Sequence, residues 1–220
     1  MPRPTYHPRH ELFQRLSAEG AALRETNDCS IIALAAVTDL PYNVIHADLS
    51  AEGRRPRRGA FRMQQFRVLL YRRFFLRAHA PEQFIQRYPA PHNRVLRSVT
   101  SHHPDRFPAV WRDGKRYLLY TYSHVLAVVD GANCDWSRGR VLRINSIYEV
   151  RAQPWPGDHA FTMRDEKGEE LTTAAHLDGD VLVHTALGYH RVGADNDYEA
   201  VLRVWLPQRG YTLVQYHGTV

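Results

Sequence analysis

Lysine is almost missing from this 220-residue chain: of its 29 basic residues only Lys115 and Lys167 are lysines, which leaves 27 arginines. Cysteine is scarce as well. Cys29 and Cys134 cannot make a disulfide framework, and their scarcity places the chain in a reducing cytoplasm. No run of 18 apolar residues occurs, so no membrane-spanning helix is expected. The opening Met1-Pro2-Arg3-Pro4-Thr5-Tyr6-His7-Pro8 lacks the apolar core of a secretory signal. Metal and phosphate signatures are absent too: there is no His-Glu-x-x-His, no Cys-x-x-Cys and no glycine-rich phosphate loop. The pair His102-His103 lies in a proline-rich stretch without ligand spacing. No metal and no cofactor is therefore expected.

What is present fits a globular protein, with 44% hydrophobic and 24% charged residues. The net charge of +6 raises phosphate contact as a possibility. A coding sequence rich in G and C would give the same arginine bias. The one local cluster is Gly53-Arg54-Arg55-Pro56-Arg57-Arg58-Gly59, a candidate nucleic-acid arm that also reads as a solvated loop.

Helical patterns come first along the chain. Residues 11–24 form one. A second begins at Cys29 and runs to about Thr38, apolar on every side and so destined for the centre of a domain. A third opens at Asp39 and Pro41, presents Val44, Ile45 and Leu49, and ends at Gly53. Met63, Phe66, Leu69 and Leu70 predict another helix over 62–73, a short one is expected over 81–88, and 89–108 reads as loop. Strands follow. Val110-Trp111 and 116–122 flank Asp113-Gly114, and two further strands flank Asp130-Gly131, both strong hairpin signals. Another strand is expected over 141–150. The expected architecture is α+β: N-terminal helices, with the Cys29 helix packed on an antiparallel sheet, and a small β-rich extension. The domains are 1–150 and 151–220, the latter carrying β-like pieces at 181–184, 200–206 and 211–216.

Cys29 stands in Thr26-Asn27-Asp28-Cys29-Ser30-Ile31-Ile32-Ala33-Leu34, a thiol in the first turn of a helix. Unpaired N–H groups and the helix dipole there favour thiolate. About ninety-five residues on, His124 and Asp135 flank the Asp130-Gly131 turn. A type I′ turn pairs Val129 with Ala132 and Val128 with Asn133, which puts His124 and Asp135 on one face as diagonal neighbours roughly 7–8 Å apart at Cβ. Singly, each of the three residues has a structural alternative: a small buried apolar group, a satisfied histidine, a strand-end acid. Together they are the parts of a nucleophile, a general acid/base and an orienting acid. Asp130 lies in the turn itself, and Cys134 falls on the opposite face.

The segment Asn27-Asp28-Cys29-x-x-x-Ala33-Leu34, with Pro41-Tyr42 and a Gly-Arg loop after it, resembles the papain-like cysteine peptidase fold in its short bacterial and bacteriophage versions. The block His124-Val125-x-Ala127-Val128-Val129-x-Gly131-x-x-x-Asp135 resembles the His and Asp strands of the same group. The resemblance covers residues 10–150. It implies a hydrolase that cleaves a peptide or isopeptide bond, with Cys29 as nucleophile, His124 as acid/base and Asp135 as orienter. A protein or peptide substrate and a bacterial, phage-infected or virion setting are implied with it. Two departures stand out: Ser30 replaces the usual Trp after the nucleophile, and Leu23 replaces the usual glutamine six residues before it. The side-chain oxyanion donor is then Asn27, with Thr26 and Gln14 as alternatives. The same departures leave open an inactive papain-like fold serving as a phage structural or host-interaction protein through its C-terminal β extension, and an arginine-rich nucleic-acid binder.

Overall fold

The computed structural model describes residues 11–57, 70, 73–79, 114–122, 124–130, 132–135, 144–193 and 196–220. The expectations over 81–108, most of 62–73, Val110-Trp111 and Arg58 lie outside these residues. The described part is mixed α+β with two antiparallel sheets. It divides into two units, Met1–Arg62 with Arg77–Val150, and Met63–Leu76 with Arg151–Val220.

The first unit opens with three helices: α1 (Glu11–Ala22), α2 (Cys29–Thr38) and α3 (Tyr42–Ala51). Every residue of α2 from Ser30 to Thr38 is buried, as an all-apolar surface requires. Asp39 ends α2 in the left-handed conformation, φ 61°, its N–H bonded to Ala35 O. Pro41 is the residue before α3 rather than its first turn.

The strands of its sheet are β1 (Phe75–His79), β2 (Arg116–Tyr120), β3 (Val125–Val129), β4 (Ala132–Asn133) and β5 (Ser146–Arg151), in the order β1-β5-β2-β3-β4. Both flanks of β2 are occupied from Tyr117 to Tyr120, by β3 on one side and β5 on the other. Arg116 shows which face meets α2: its guanidinium donates to Ala36 O at 3.0 Å and lies 3.4 Å from Asp39. Tyr117, Leu119, Leu126, Val128 and Ile147 form a separate cluster on the other face.

In the second unit a five-stranded antiparallel sheet runs β10-β6-β7-β8-β9. Its strands are β6 (His159–Asp165), β7 (Glu170–Asp178), β8 (Val181–His184), β9 (Gly188–Arg191) and β10 (Tyr211–Thr219). Helix α4 (Tyr198–Trp205) corrects the expected strand at 200–206. Asp197 caps it, Oδ1 accepting from Glu199 N and Ala200 N, and Leu202 and Trp205 bury their side chains against Phe161, Met163, Leu182 and Leu213. The helix wins because a cap precedes Tyr198 and the apolar residues recur three and four apart.

His184 sits inside this unit, 1% exposed. Its Nδ1 accepts the N–H groups of Ala186 and Leu187, both at 3.2 Å, so the ring proton is on Nε2 and is donated to Thr173 Oγ1 at 2.9 Å. Burial, with the charge of His176 adding to it, pushes the imidazole down to about 3. The unfolded chain takes up a proton as pH falls below about 6.5, while the folded chain refuses it until near 3. His184 therefore destabilises the fold over that window by about 1.4 kcal/mol per pH unit. Ring resonances followed by NMR should show no titration of His184 between pH 7 and 4; a midpoint near 6 would mean that the ring is solvated.

Candidate active site

Loop 25–28 leads into α2 and is held from below by a buried ion pair. The Glu25 and Arg54 side chains are 1% and 2% exposed and meet in a two-pronged contact, Nη1 to Oε1 at 3.1 Å and Nη2 to Oε2 at 3.0 Å. His46 Nε2 lies 2.8 Å from Glu25 Oε1, and Arg57 N donates to Oε2 at 2.9 Å. The Arg54 hydrogen bond outweighs burial and, helped by Arg57 and His46, brings the Glu25 carboxyl down to about 2. Arg54 is thus a structural cation and not part of a solvated basic arm. Its Nη2 also reaches Asn27 O at 3.3 Å. Asn27 Nδ2 donates to Arg57 O at 3.0 Å, which lashes the 54–57 turn to the residues just before the thiol.

Asp28 occupies the N-cap position of α2 but does not cap it. Its Oδ2 instead accepts the Tyr42 hydroxyl at 2.8 Å. Burial first, and Asp28 second, raise the phenol well above its ordinary value, so Tyr42 remains an O–H donor. Gly20 makes this possible, since a Cβ there would collide with Asp28 Oδ2 and come within 2.9 Å of the Tyr42 hydroxyl oxygen. Asp28 is turned aside, and no side chain caps the first-turn N–H groups beside Cys29.

Four residues, 121–124, connect β2 to β3. Thr121 closes that loop against His124: its N–H and Oγ1–H donate to His124 O at 2.8 and 3.0 Å, and Oγ1 accepts from His124 N at 3.0 Å. The β3–β4 register is the one a type I′ turn predicts, with Val129 opposite Ala132 and Val128 opposite Asn133. Asp130 takes φ 47° in that turn, and Cys134 N donates to Ala127 O at 2.9 Å. His124 stands one residue before β3 and Asp135 two residues beyond β4, so neither is held in the ladder. Their side chains meet all the same, His124 Nε2 to Asp135 Oδ2 at 2.9 Å, with exposures of 10% and 3%.

The His124 ring also hydrogen-bonds the Cys29 side chain. Burial works against protonation of His124, but the hydrogen bonds and charges of Asp135 and Cys29 outweigh it and bring the imidazole up to about 9. The second thiol differs. Cys134 is 1% exposed, and burial pushes it up to about 12.

The structure thus brings Cys29, His124 and Asp135 together. Asn27 is exposed, with one amide N–H already given to Arg57 O. Leu23 is 50% exposed, and Gln14 and Thr26 are exposed. Sequence reasoning missed Glu25, Arg54, Tyr42, Gly20 and Thr121 as supports of the site. No metal-holding group of three or more His, Cys, Asp or Glu occurs among the described residues, and none of their helices is long and apolar enough to cross a membrane. Searches of protein-family models, curated proteins and solved structures find no match to this chain.

Two measurements probe these supports. Glu25→Gln leaves Arg54 charged and unpaired in the interior and should cost about 3–5 kcal/mol in urea unfolding. The double variant Glu25→Gln with Arg54→Met should recover a large part of that loss; no recovery would show that the two side chains act independently. His124 has a raised folded pKa, so its contribution to stability is complete below about 6.5 and is lost as pH rises through about 9. Asp135→Asn should lower the His124 midpoint measured by NMR and flatten the pH dependence of stability between pH 6.5 and 9. An unmoved midpoint would remove Asp135 from the site.

Proposed function

We propose that this protein is a cysteine hydrolase of papain-like type that cleaves a peptide or isopeptide bond through Cys29, His124 and Asp135. The observation that carries the reading is the imidazole of His124, which hydrogen-bonds the Cys29 side chain and lies 2.9 Å from Asp135 Oδ2. In the reaction His124 takes the proton of the Cys29 thiol, and the thiolate is the nucleophilic form. The Cys29 sulfur attacks the carbonyl carbon, and the oxyanion forms beside the uncapped N–H groups of α2. His124 hands its proton to the departing amine and a thioester remains. Water then attacks that thioester, with His124 taking the water's proton, and the free acid leaves. Asp135 holds the ring in place and compensates its charge throughout. The α+β arrangement, with α2 against β2 and β3, is compatible with a papain-like domain.

A second reading, a papain-like fold kept for partner binding without catalysis, is favoured by two observations. Asn27, the candidate side-chain oxyanion donor, is bonded to Arg57 O, and Leu23 stands where glutamine is usual. A missing donor of this kind costs about 10²–10³ in rate.

Iodoacetamide at neutral pH separates the readings. Cys29 should be alkylated well ahead of a small free thiol, and His124→Ala should bring it back to the free-thiol rate. If wild-type Cys29 reacts no faster than that thiol, the hydrolase reading fails. A stoichiometric complex from a host lysate that survives Cys29→Ala would then favour the binding reading.

A further inference from the structure

We infer that the substrate is an acidic peptide, drawn to Cys29 by a lip of exposed arginines on the two turns that border it. The inference rests on the reading of Cys29 as the nucleophile. Turns 24–27 and 54–57 are bound face to face: Asn27 Nδ2 to Arg57 O, Arg57 Nε to Arg24 O at 3.2 Å, and Arg57 N to Glu25 Oε2. The residues from Arg24 to Cys29 and from Arg54 to Arg57 hold four arginines against two carboxylates. One of those carboxylates, Glu25, is buried and neutralised by Arg54, which is buried with it. The other, Asp28, is engaged by Tyr42. Arg24, Arg55 and Arg57 remain exposed. The uncapped start of α2 adds partial positive charge at the same place.

The imbalance extends beyond the lip. Residues 1–150 carry 23 basic and 13 acidic residues, a net +10, whereas residues 151–220 carry 6 and 10, a net −4. The charge thus lies on the part of the chain that holds the thiol. A nucleic-acid site follows a phosphate backbone with a stripe of cations and stacking aromatics. Arg24, Arg55 and Arg57 sit on two short turns beside a sulfur and an imidazole, which favours a short anionic acyl donor.

Two alkylating agents that differ in charge read this field. The full-length protein is treated with iodoacetate and with iodoacetamide, and the ratio of the two rates at Cys29 is compared between wild type and the Arg24→Gln/Arg55→Gln variant. Any attraction from His124 is common to both proteins. Two unit charges about 10 Å away in water change the rate for a singly charged reagent about four-fold, so the ratio should fall by about that factor at low ionic strength. The wild-type ratio should also fall as salt is raised. Peptidyl chloromethyl ketones that differ only as Glu or Gln beside the reactive carbonyl should follow the same order.

A ratio that does not move overturns the inference, as does a missing preference for Glu over Gln. So does binding of a DNA fragment that the variant loses while the ratio stays put, which would make the arginines phosphate contacts. The ratio can be read at any thiol. If Cys29 reacts no faster than a free thiol and the ratio still falls, the hydrolase reading fails while the anion-attracting lip stands.

Discussion

The imidazole of His124 interacts with both a carboxylate and a sulfur, and the chemistry of the candidate site follows from that pairing. An imidazole alone, as deeply buried, would lose its proton. Asp135 and Cys29 reverse the balance and keep it on the ring at neutral pH. The cation this creates lies in a poorly solvated place, so it persists only while both partners stay put. That demand explains the tight bonding of the segments on which the three residues ride. Thr121 locks the start of β3, the β3–β4 register fixes the return to Asp135, and Glu25 anchors the approach to Cys29.

Local polar groups around Cys29 are arranged to leave one place unfilled. Asp28 has the chemistry of a cap and stands at the cap position, yet Tyr42 draws it aside. The space that Gly20 leaves open is what lets it turn. A capped helix would have spent on its own aspartate the N–H groups that an incoming oxyanion would use. The Glu25–Arg54 pair secures the same loop without placing a bare charge beside the sulfur. Buried ion pairs of this kind contribute little net stability but are costly to break, which suits a device whose task is position.

Legibility in the sequence followed range. The ribbon that joins His124 to Asp135 is legible in its register, because Asp130-Gly131 dictates a turn and alternation does the rest. The Cys29 helix is legible in its apolar run. The side chains of His124 and Asp135 meet although both residues lie just outside the paired stretch. What escaped was mostly long-range: Glu25 and Arg54 are 29 positions apart, and no periodicity links them. Four arginines between glycines look solvated until one of them finds a buried carboxylate. In the C-terminal part the error was one of period. The run Ala200-Val201-Leu202-Arg203-Val204-Trp205 has the β-branched, aromatic texture of a strand, and Asp197 is the one local signal that a helix begins there.

Cys134 gives the molecule an internal contrast. It is sealed in the interior, and burial keeps it protonated at any pH at which the chain would work. An electrophile added to the folded protein therefore finds one sulfur. The same reagent added after denaturation finds two. The stoichiometry of labelling is thus a gauge of conformational integrity that the chain carries without any reporter being attached.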